Sequence, residues 1–380
     1  MLNYRKLTEN DLETFISMRI TQLREEGAKE QIDLVPALWD YYARHMADGT
    51  FVSYLALDGE NVVAKRGDEI AARYPLHTLS GIVTFSYAGA SPALMGKCAK
   101  DGISLSFCTP RGRFLARVSG ENNGNVLLRR MQYRIADDPA QSCRIAAPMV
   151  FGKVYNARRV LERARRDHAM LVQDRLDAPA ETLKGLLPQI LAEADPDSLR
   201  GLEGTAATAY FRAFDHMILQ NRDCFRFDGR SRRPPLDPIN AALSFAYALL
   251  ANDCAAALES VGLDAYVGFL HRDRPGRASL ALDLMEELRP CMADRFVLTL
   301  VNNRVLSEKD FERSEGGAVY LEEGGRRKVL KAWQERKQDA LKHPFLDEKL
   351  QWGMIPYAQA LLLSRYLRGD LDSYPPFLWK

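Results

Sequence analysis

The sequence has no C-x-x-C pair. Its six cysteines stand at 98, 108, 143, 224, 254 and 291, a spacing that suits neither a zinc site nor a disulfide framework. They read as reduced thiols in a cytoplasm. No run reaches the roughly 18 apolar residues of a membrane span. The opening MLNYRKLTEND lacks an apolar signal core. Both absences argue against a membrane or secreted protein. Internal repeats and low-complexity tracts are missing as well. What is present is ordinary globular material: 380 residues, 47% hydrophobic and 27% charged, enough for two or three domains.

The net charge of +2 hides an uneven distribution. Residues 111–166 carry thirteen Arg or Lys against four acids, so this stretch is +9 and the rest of the chain is −7. Twelve of the thirteen are Arg, whose planar fork suits phosphate better than a Lys ammonium does. Such a segment is either the footprint of a polyanion partner or a solvated helix face.

Periodicity divides the chain in three. Residues 1–50 read as helical: Thr8 caps, then Leu12, Phe15, Ile16, Ile20 and Leu23 recur near helical spacing until Gly27. Over 51–138 short β-rich runs (FVSYLAL, NVVAK, IAARYPL, GIVTFSY, ISLSFCT, RFLARVS) are broken by turn signals such as Asp58-Gly59. A short helix, SPALMGKCAKDG, interrupts them. This predicts a mostly antiparallel β domain of about six strands. Residues 139–380 are mostly of helical periodicity, broken by one loop rich in Arg and Pro, FRFDGRSRRPPLDP, so the fold class is α+β: a small β domain, then a larger all-α domain, with an extra helical N-terminal segment.

The chemistry lies in dispersed hard ligands. Glu203 stands in LEGTAATAYF, and His271 closes the apolar run VGFLH. Asp283 and Glu286 in SLALDLMEELRP are three apart, hence one turn apart on one helix face. A His with carboxylates suits Mg²⁺ or Mn²⁺, which stabilises the charge of an in-line phosphoryl displacement. Each residue also has a plainer reading. The His is then a structural hydrogen-bonder, the Asp/Glu pair a wet helix face, and Glu203 a favourable charge at a helix start.

The strings around these residues favour the first reading. SYLALDGENVV, PLHTLSGIVTFSYAGASPALMGKCAKDGISLSF, GRFLARVSGENNGNVLLRRMQY, LEGTAATAYF, RRPPLDPINAALSFAYALL and GLDAYVGFLHRDRPGRASLALDLMEELRPCMADRFVLTLVN follow one another in order. Together, over about residues 52–370, they resemble the spacer-acquisition integrases of CRISPR systems, the Cas-one family, and within it the subtype I-C branch. The resemblance implies a dimerising β domain and an α-helical catalytic domain. It implies a Mg²⁺ or Mn²⁺ ion held by Glu203, His271 and Glu286, with Asp283 in support. Glu286 stands where the family often has Asp. The implied reaction joins the 3′-hydroxyl of prespacer DNA to the repeat by transesterification, with endonuclease activity on branched DNA. Implied partners are double-stranded DNA, a second copy of the chain and a small companion subunit, the Cas-two protein. A catalytically idle DNA-binding scaffold is the competing reading.

Such a reaction needs a basic track for phosphates. The candidates are Lys153, Asn156 and Arg159 on one helix face, with Arg158, Arg163 and Arg166 beside them. Arg232 and Arg233 precede a Pro-Pro pair. Asp237 is a candidate cap, and Asn240, Ser244 and Tyr247 form a polar stripe on the helix that follows. Tyr210, two turns after Glu203, is either a DNA contact or a packing residue.

Residues 1–50 stand outside that resemblance. YRKLTENDLETFISMRITQLREEG and DLVPALWDYYARHMADGTFVSYLALDG resemble the opening of a GNAT-type acetyltransferase. The pyrophosphate loop that such an enzyme needs at a helix N-terminus is missing, since the one fitting string, RSEGGA from Arg313, comes far too late. The segment therefore reads as a fragment without acetyl transfer.

Overall fold

The computed structural model describes residues 13, 16, 17, 20, 35, 36, 53–66, 69–79, 81–85, 89–109, 114–118, 120, 126–231 and 233–380. Most of the GNAT-like segment, including Leu12, Phe15 and Leu23, lies outside the described residues. Of its apolar stripe, Ile16 is described and buried. The chain divides into two units, Met1–Glu121 and Asn122–Lys380.

In the first unit, β1 (Ser53–Asp58), β2 (Asn61–Arg66) and β3 (Glu69–Pro75) form an antiparallel meander, and β5 (Gly89–Ala90) adds to β1 in parallel. Asp58 pairs with Asn61, so the connection is the two-residue loop Gly59-Glu60. Gly59 turns there at φ +59°, a backbone region that only glycine enters without cost. A second sheet sets β4 (Gly81–Thr84) parallel to β6 (Ser104–Cys108), with β7 (Phe114–Val118) antiparallel to β6. The parallel pair needs a crossover, which includes the expected helix, α1 (Pro92–Lys100). Ser91 caps α1 by accepting a hydrogen bond from the Leu94 amide at 3.2 Å. Val62, Leu76, Leu94, Cys98 and Leu105 form the buried core of this unit.

Helices begin earlier than the periodicity predicted. Residues 126–136, expected within the β region, form α2 (Val126–Ala136), which belongs to the second unit. Next come α3 (Pro139–Asp167), α4 (Ala169–Ala192), α5 (Pro196–Phe214), α6 (Pro238–Ser260), α7 (Ser279–Leu288), a π-helical segment (Arg289–Asp294) and α8 (Arg295–Asn302). The hairpin of β8 (Phe311–Arg313) and β9 (Val319–Leu321) precedes α9 (Glu323–Gln338). The hairpin of β10 (Ala340–Lys342) and β11 (Lys349–Gln351) precedes α10 (Ile355–Leu367).

Three of these helices open on Asp-Pro. Asp138, Asp195 and Asp237 cap α3, α5 and α6 by accepting from amides of the first turn, and the following proline fills the first helical position. That position has no amide partner to lose, so the pair sets the start of each helix. By length and composition α6 could cross a membrane, but 67% of its most apolar window is buried inside the protein. Helix α3 packs against α4, α5 and α7, and α6 packs against α7 and α10. Helix α7 thus lies between neighbours on several sides, and every residue from Asp283 to Leu288 is buried.

Candidate active site

The wet-face reading of the α7 acids fails, because Asp283 and Glu286 are 0% and 3% exposed. Buried carboxylates need charge partners or several hydrogen bonds, and each has found its own. Asp283 accepts four. Its Oδ2 takes the amides of Phe269 at 2.6 Å and Leu270 at 2.9 Å. Its Oδ1 takes the His271 amide at 3.0 Å and lies 2.6 Å from His271 Nδ1. The carboxylate therefore fixes the 269–271 turn and, with the imidazole proton on Nδ1, leaves Nε2 as the ring nitrogen able to accept.

This turn needs Gly268. A Cβ there would lie 2.7 Å from Asp283 Oδ2 and 2.9 Å from Ser279 Cβ, closer than real Cβ atoms approach. The preceding loop is held by Gln132 of α2, which donates to the carbonyls of Asp264 and Val267 and accepts from the Asp264 amide. Arg200 of α5 donates to the Leu270 carbonyl at 2.9 Å, and Arg272 pairs with Asp197 at 2.6 Å. These contacts tie the His271 turn to α5, the helix that carries Glu203.

Glu286 reaches two cations. Its Oε1 meets Arg289 at 2.5 Å and its Oε2 meets Lys153 at 2.5 Å. Lys153, from the middle of α3, also pairs with Glu203, so one ammonium bridges the two carboxylates. Burial alone would raise the Glu286 carboxyl. Arg289 first, then Lys153 and His271, outweigh burial and hold it well below the usual carboxylate range. His271 is pulled down by burial, yet Asp283 and then Glu286 bring it net above its ordinary value.

Among the described residues no three His, Cys, Asp or Glu side chains are already grouped to hold a metal ion. The expected set of Glu203, His271 and Glu286 is thus not assembled as a cage. Lys153 bridges Glu203 and Glu286, and His271 turns its Nδ1 to Asp283. The chemistry of the donors still fits a hard divalent cation, for two carboxylates already hold a monocation between them and His271 is near enough to Glu286 to feel its charge.

Several residues expected to contact DNA do other work. Lys153 is 9% exposed and serves the two carboxylates. Asn156 is fully buried: its amide donates to the carbonyls of Glu287 and Phe377, and its oxygen accepts the Trp379 amide. It clasps the C-terminal segment to α3 and α7. Asn240 is equally buried, bonded to Gly229, Asp237, Arg230 and Ser231. The stripe of Asn240, Ser244 and Tyr247 seats the Arg230 guanidinium, which lies 5.2 Å from the Tyr247 ring centre. Tyr210 is a packing residue, 3% exposed, against Phe211 and Phe214. In all four cases helical spacing identified a shared face but not whether that face meets solvent.

The remaining arginines are more accessible. Arg158 and Arg159 pair with Glu162, and Arg163 and Arg166 pair with Asp167. Arg159, Arg163, Arg165 and Arg166 line a groove of about 400 Å³ with Trp379. Arg163 and Arg295 both lie over the Trp379 ring, at 5.3 and 4.8 Å. Arg233 is exposed, and Arg232 lies outside the described residues. The sequence reading missed Arg289, though its spacing of three from Glu286 on a helix was the available signal.

Residues 49–335 match the family described as "CRISPR associated protein Cas1". A CRISPR-associated endonuclease Cas1 2 of Rhodospirillum rubrum is 51% identical over 335 residues, 86% of this chain and 95% of that one. A CRISPR-associated endonuclease Cas1 1 of Chlorobaculum tepidum is 47% identical, over 86% of this chain and 96% of its own. Among solved structures, a casposase bound to its integration product superposes with TM-score 0.73 at 23% identity, over 86% of this chain and 92% of that one. A CAS1 protein from Thermotoga maritima gives TM-score 0.70 at 20% identity, over 84% and 95%. A Cas6-RT-Cas1–Cas2 complex gives 0.70 at 25% identity, over 87% of this chain and 35% of that one. The likeness of sequence over nearly the whole of these relatives, joined to a shared β-then-α fold, shows that this chain belongs to the Cas1 family of CRISPR-associated proteins.

Proposed function

We propose that the chain is a metal-dependent DNA integrase of CRISPR adaptation that also nicks branched DNA. It joins the 3′-hydroxyl of prespacer DNA to the repeat by transesterification. The observation that carries this reading is the convergence of Glu203 and Glu286 on one cation, with His271 oriented by a buried carboxylate. The close curated relatives are named endonucleases, and one structural neighbour is titled as bound to an integration product. The same reading makes the protein a cytoplasmic homodimer joined through its β domains, with a Cas-two partner.

Glu203, His271 and Glu286 would hold a Mg²⁺ or Mn²⁺ ion, with Asp283 positioning His271. Bound there, the ion supplies Lewis-acid stabilisation of the phosphorane-like charge in an in-line displacement. The chain's own residues prepare that step. Arg289 keeps Glu286 ionised despite its burial. Asp283 holds His271 by its Nδ1 and so fixes the ring, with Nε2 on its other edge. The Arg-lined groove beside Trp379 offers guanidiniums to the phosphate backbone.

A gel assay that joins labelled prespacer to a repeat plasmid tests the reading. Joining should require Mn²⁺ or Mg²⁺ and should vanish in Glu203→Gln, His271→Ala and Glu286→Gln. DNA retention with no joining by the wild-type chain under any metal would favour the idle scaffold.

A further inference from the structure

We propose that Lys153 is a resident counter-ion, holding Glu203 and Glu286 together before a divalent cation arrives and then withdrawing into the cavity beside Asp294. The inference rests on the metal-ligand reading above and adds a residue that it does not contain.

Charge balance is the starting point. Two carboxylates, Glu203 and Glu286, face two basic groups, Lys153 and Arg289, and of the four Glu203 is the partly exposed one. A divalent cation that takes the same two carboxylates with both basic groups still in position would meet two like charges at close range, a costly arrangement. One of them must yield. Arg289 is fixed: its guanidinium pairs with Glu286 at 2.5 Å and stacks 4.3 Å from the Tyr247 ring centre. Lys153 is the mobile one, a compact charge on four rotatable carbons.

A place to withdraw to adjoins it. Lys153 itself lines a cavity of about 20 Å³, shared with Tyr210, Tyr247, Arg289 and Asp294. That is room for one water-sized group, and an ammonium is of that size. The wall offers acceptors: the buried Asp294 carboxylate, which already accepts from Tyr247, and the buried Tyr210 hydroxyl, which makes no hydrogen bond of its own. These meet the demand of an ammonium's three donors. The π-helical segment Arg289–Asp294 contributes Arg289, Pro290 and Asp294 to the cavity wall. In withdrawing, Lys153 exchanges one buried carboxylate environment for another, so neither state leaves it unpaired.

The test is Mn²⁺ binding to the full chain, read by the electron paramagnetic resonance of free Mn²⁺, with no catalysis involved. Wild type should bind, and Glu286→Gln should lose at least tenfold in affinity. Equal binding by those two would sink the metal-ligand reading itself. Given that control, Lys153→Met should bind Mn²⁺ at least tenfold more tightly than wild type, since its competitor is gone. Lys153→Arg keeps the charge and the fold, but its planar fork exceeds the cavity, so it should bind at least tenfold more weakly. Asp294→Asn should weaken binding in wild type and have no effect in the Lys153→Met background. Lys153→Met binding no tighter than wild type, Lys153→Arg binding as wild type does, or an Asp294→Asn effect that persists without Lys153 would each overturn the inference.

Discussion

Asp283 spends all its hydrogen-bonding capacity on one turn of backbone and one imidazole. At this scale the site is a matter of tenths of an ångström, and Gly268 sets the tolerance. Gly268→Ala should push Asp283 from the turn and release His271. We expect strand joining and Mn²⁺ affinity to fall about 10- to 100-fold, the usual cost of disturbing a ligand's supporting partner. Circular dichroism should show the fold retained. Unchanged affinity in that variant would mean that the turn has slack the geometry does not show. Glu203, His271, Asp283 and Glu286 were legible as candidate hard ligands because residue type and local strings mark them. Gly268 and Lys153 were not legible in those roles. One acts by having no side chain, and the other reaches across from α3, 50 residues before Glu203.

The helices are set by short signals that act locally. Asp-Pro at 138–139, 195–196 and 237–238 starts α3, α5 and α6. Asp195→Ala removes a cap, and should cost about 1 kcal/mol. In a unit of this size the melting temperature should drop roughly 2–4 °C, measurable by calorimetry. A second element-scale device lies where the β10–β11 hairpin meets α10. Buried His343 accepts the amides of Phe345 and Leu346 on Nδ1 and donates from Nε2 to Gln359 at 3.0 Å. Burial lowers its proton affinity, and a proton on Nδ1 would face two amide donors. Its folded pKa therefore lies below the unfolded value of about 6.5. The stability it confers is present above about pH 6.5 and is lost as pH falls through the folded value. His343→Gln should shrink the difference in melting temperature between pH 7.5 and pH 5, relative to wild type. An equal difference would show that His343 titrates normally. Helix starts are readable because cap and proline are adjacent in sequence. The network from His343 through Gln359 to Glu287 and Tyr374 is not, since nothing in a lone buried histidine announces its partners.

Across the whole molecule, the order of a β region followed by helices was legible from the switch between the two periodicities. The boundary was not. VLLRRMQYRIA is the next described element after β7, and its helical spacing is carried by few buried residues, Leu128 and Gln132. The charge map was only half legible. The +9 stretch contains Lys153, which neutralises buried acids, and arginines that pair with Glu162 and Asp167. A surplus still faces the groove beside Trp379. Replacing Arg159, Arg163 and Arg166 by Ala should weaken duplex binding alike for every sequence. The log–log salt dependence should flatten by roughly 0.9 for each phosphate that the variant leaves unneutralised. An unaltered salt slope in fluorescence anisotropy titrations would reduce this stretch to a solvated face.

Glu203, His271 and Glu286 should together hold one divalent cation at the place that Lys153 now spans. Anomalous diffraction from crystals soaked in Mn²⁺ tests it directly. A single strong peak should lie within about 2.0–2.6 Å of a carboxylate oxygen of Glu203, one of Glu286 and Nε2 of His271, with the Lys153 ammonium displaced. A peak elsewhere, or none with the ammonium still bridging the two carboxylates, would contradict it.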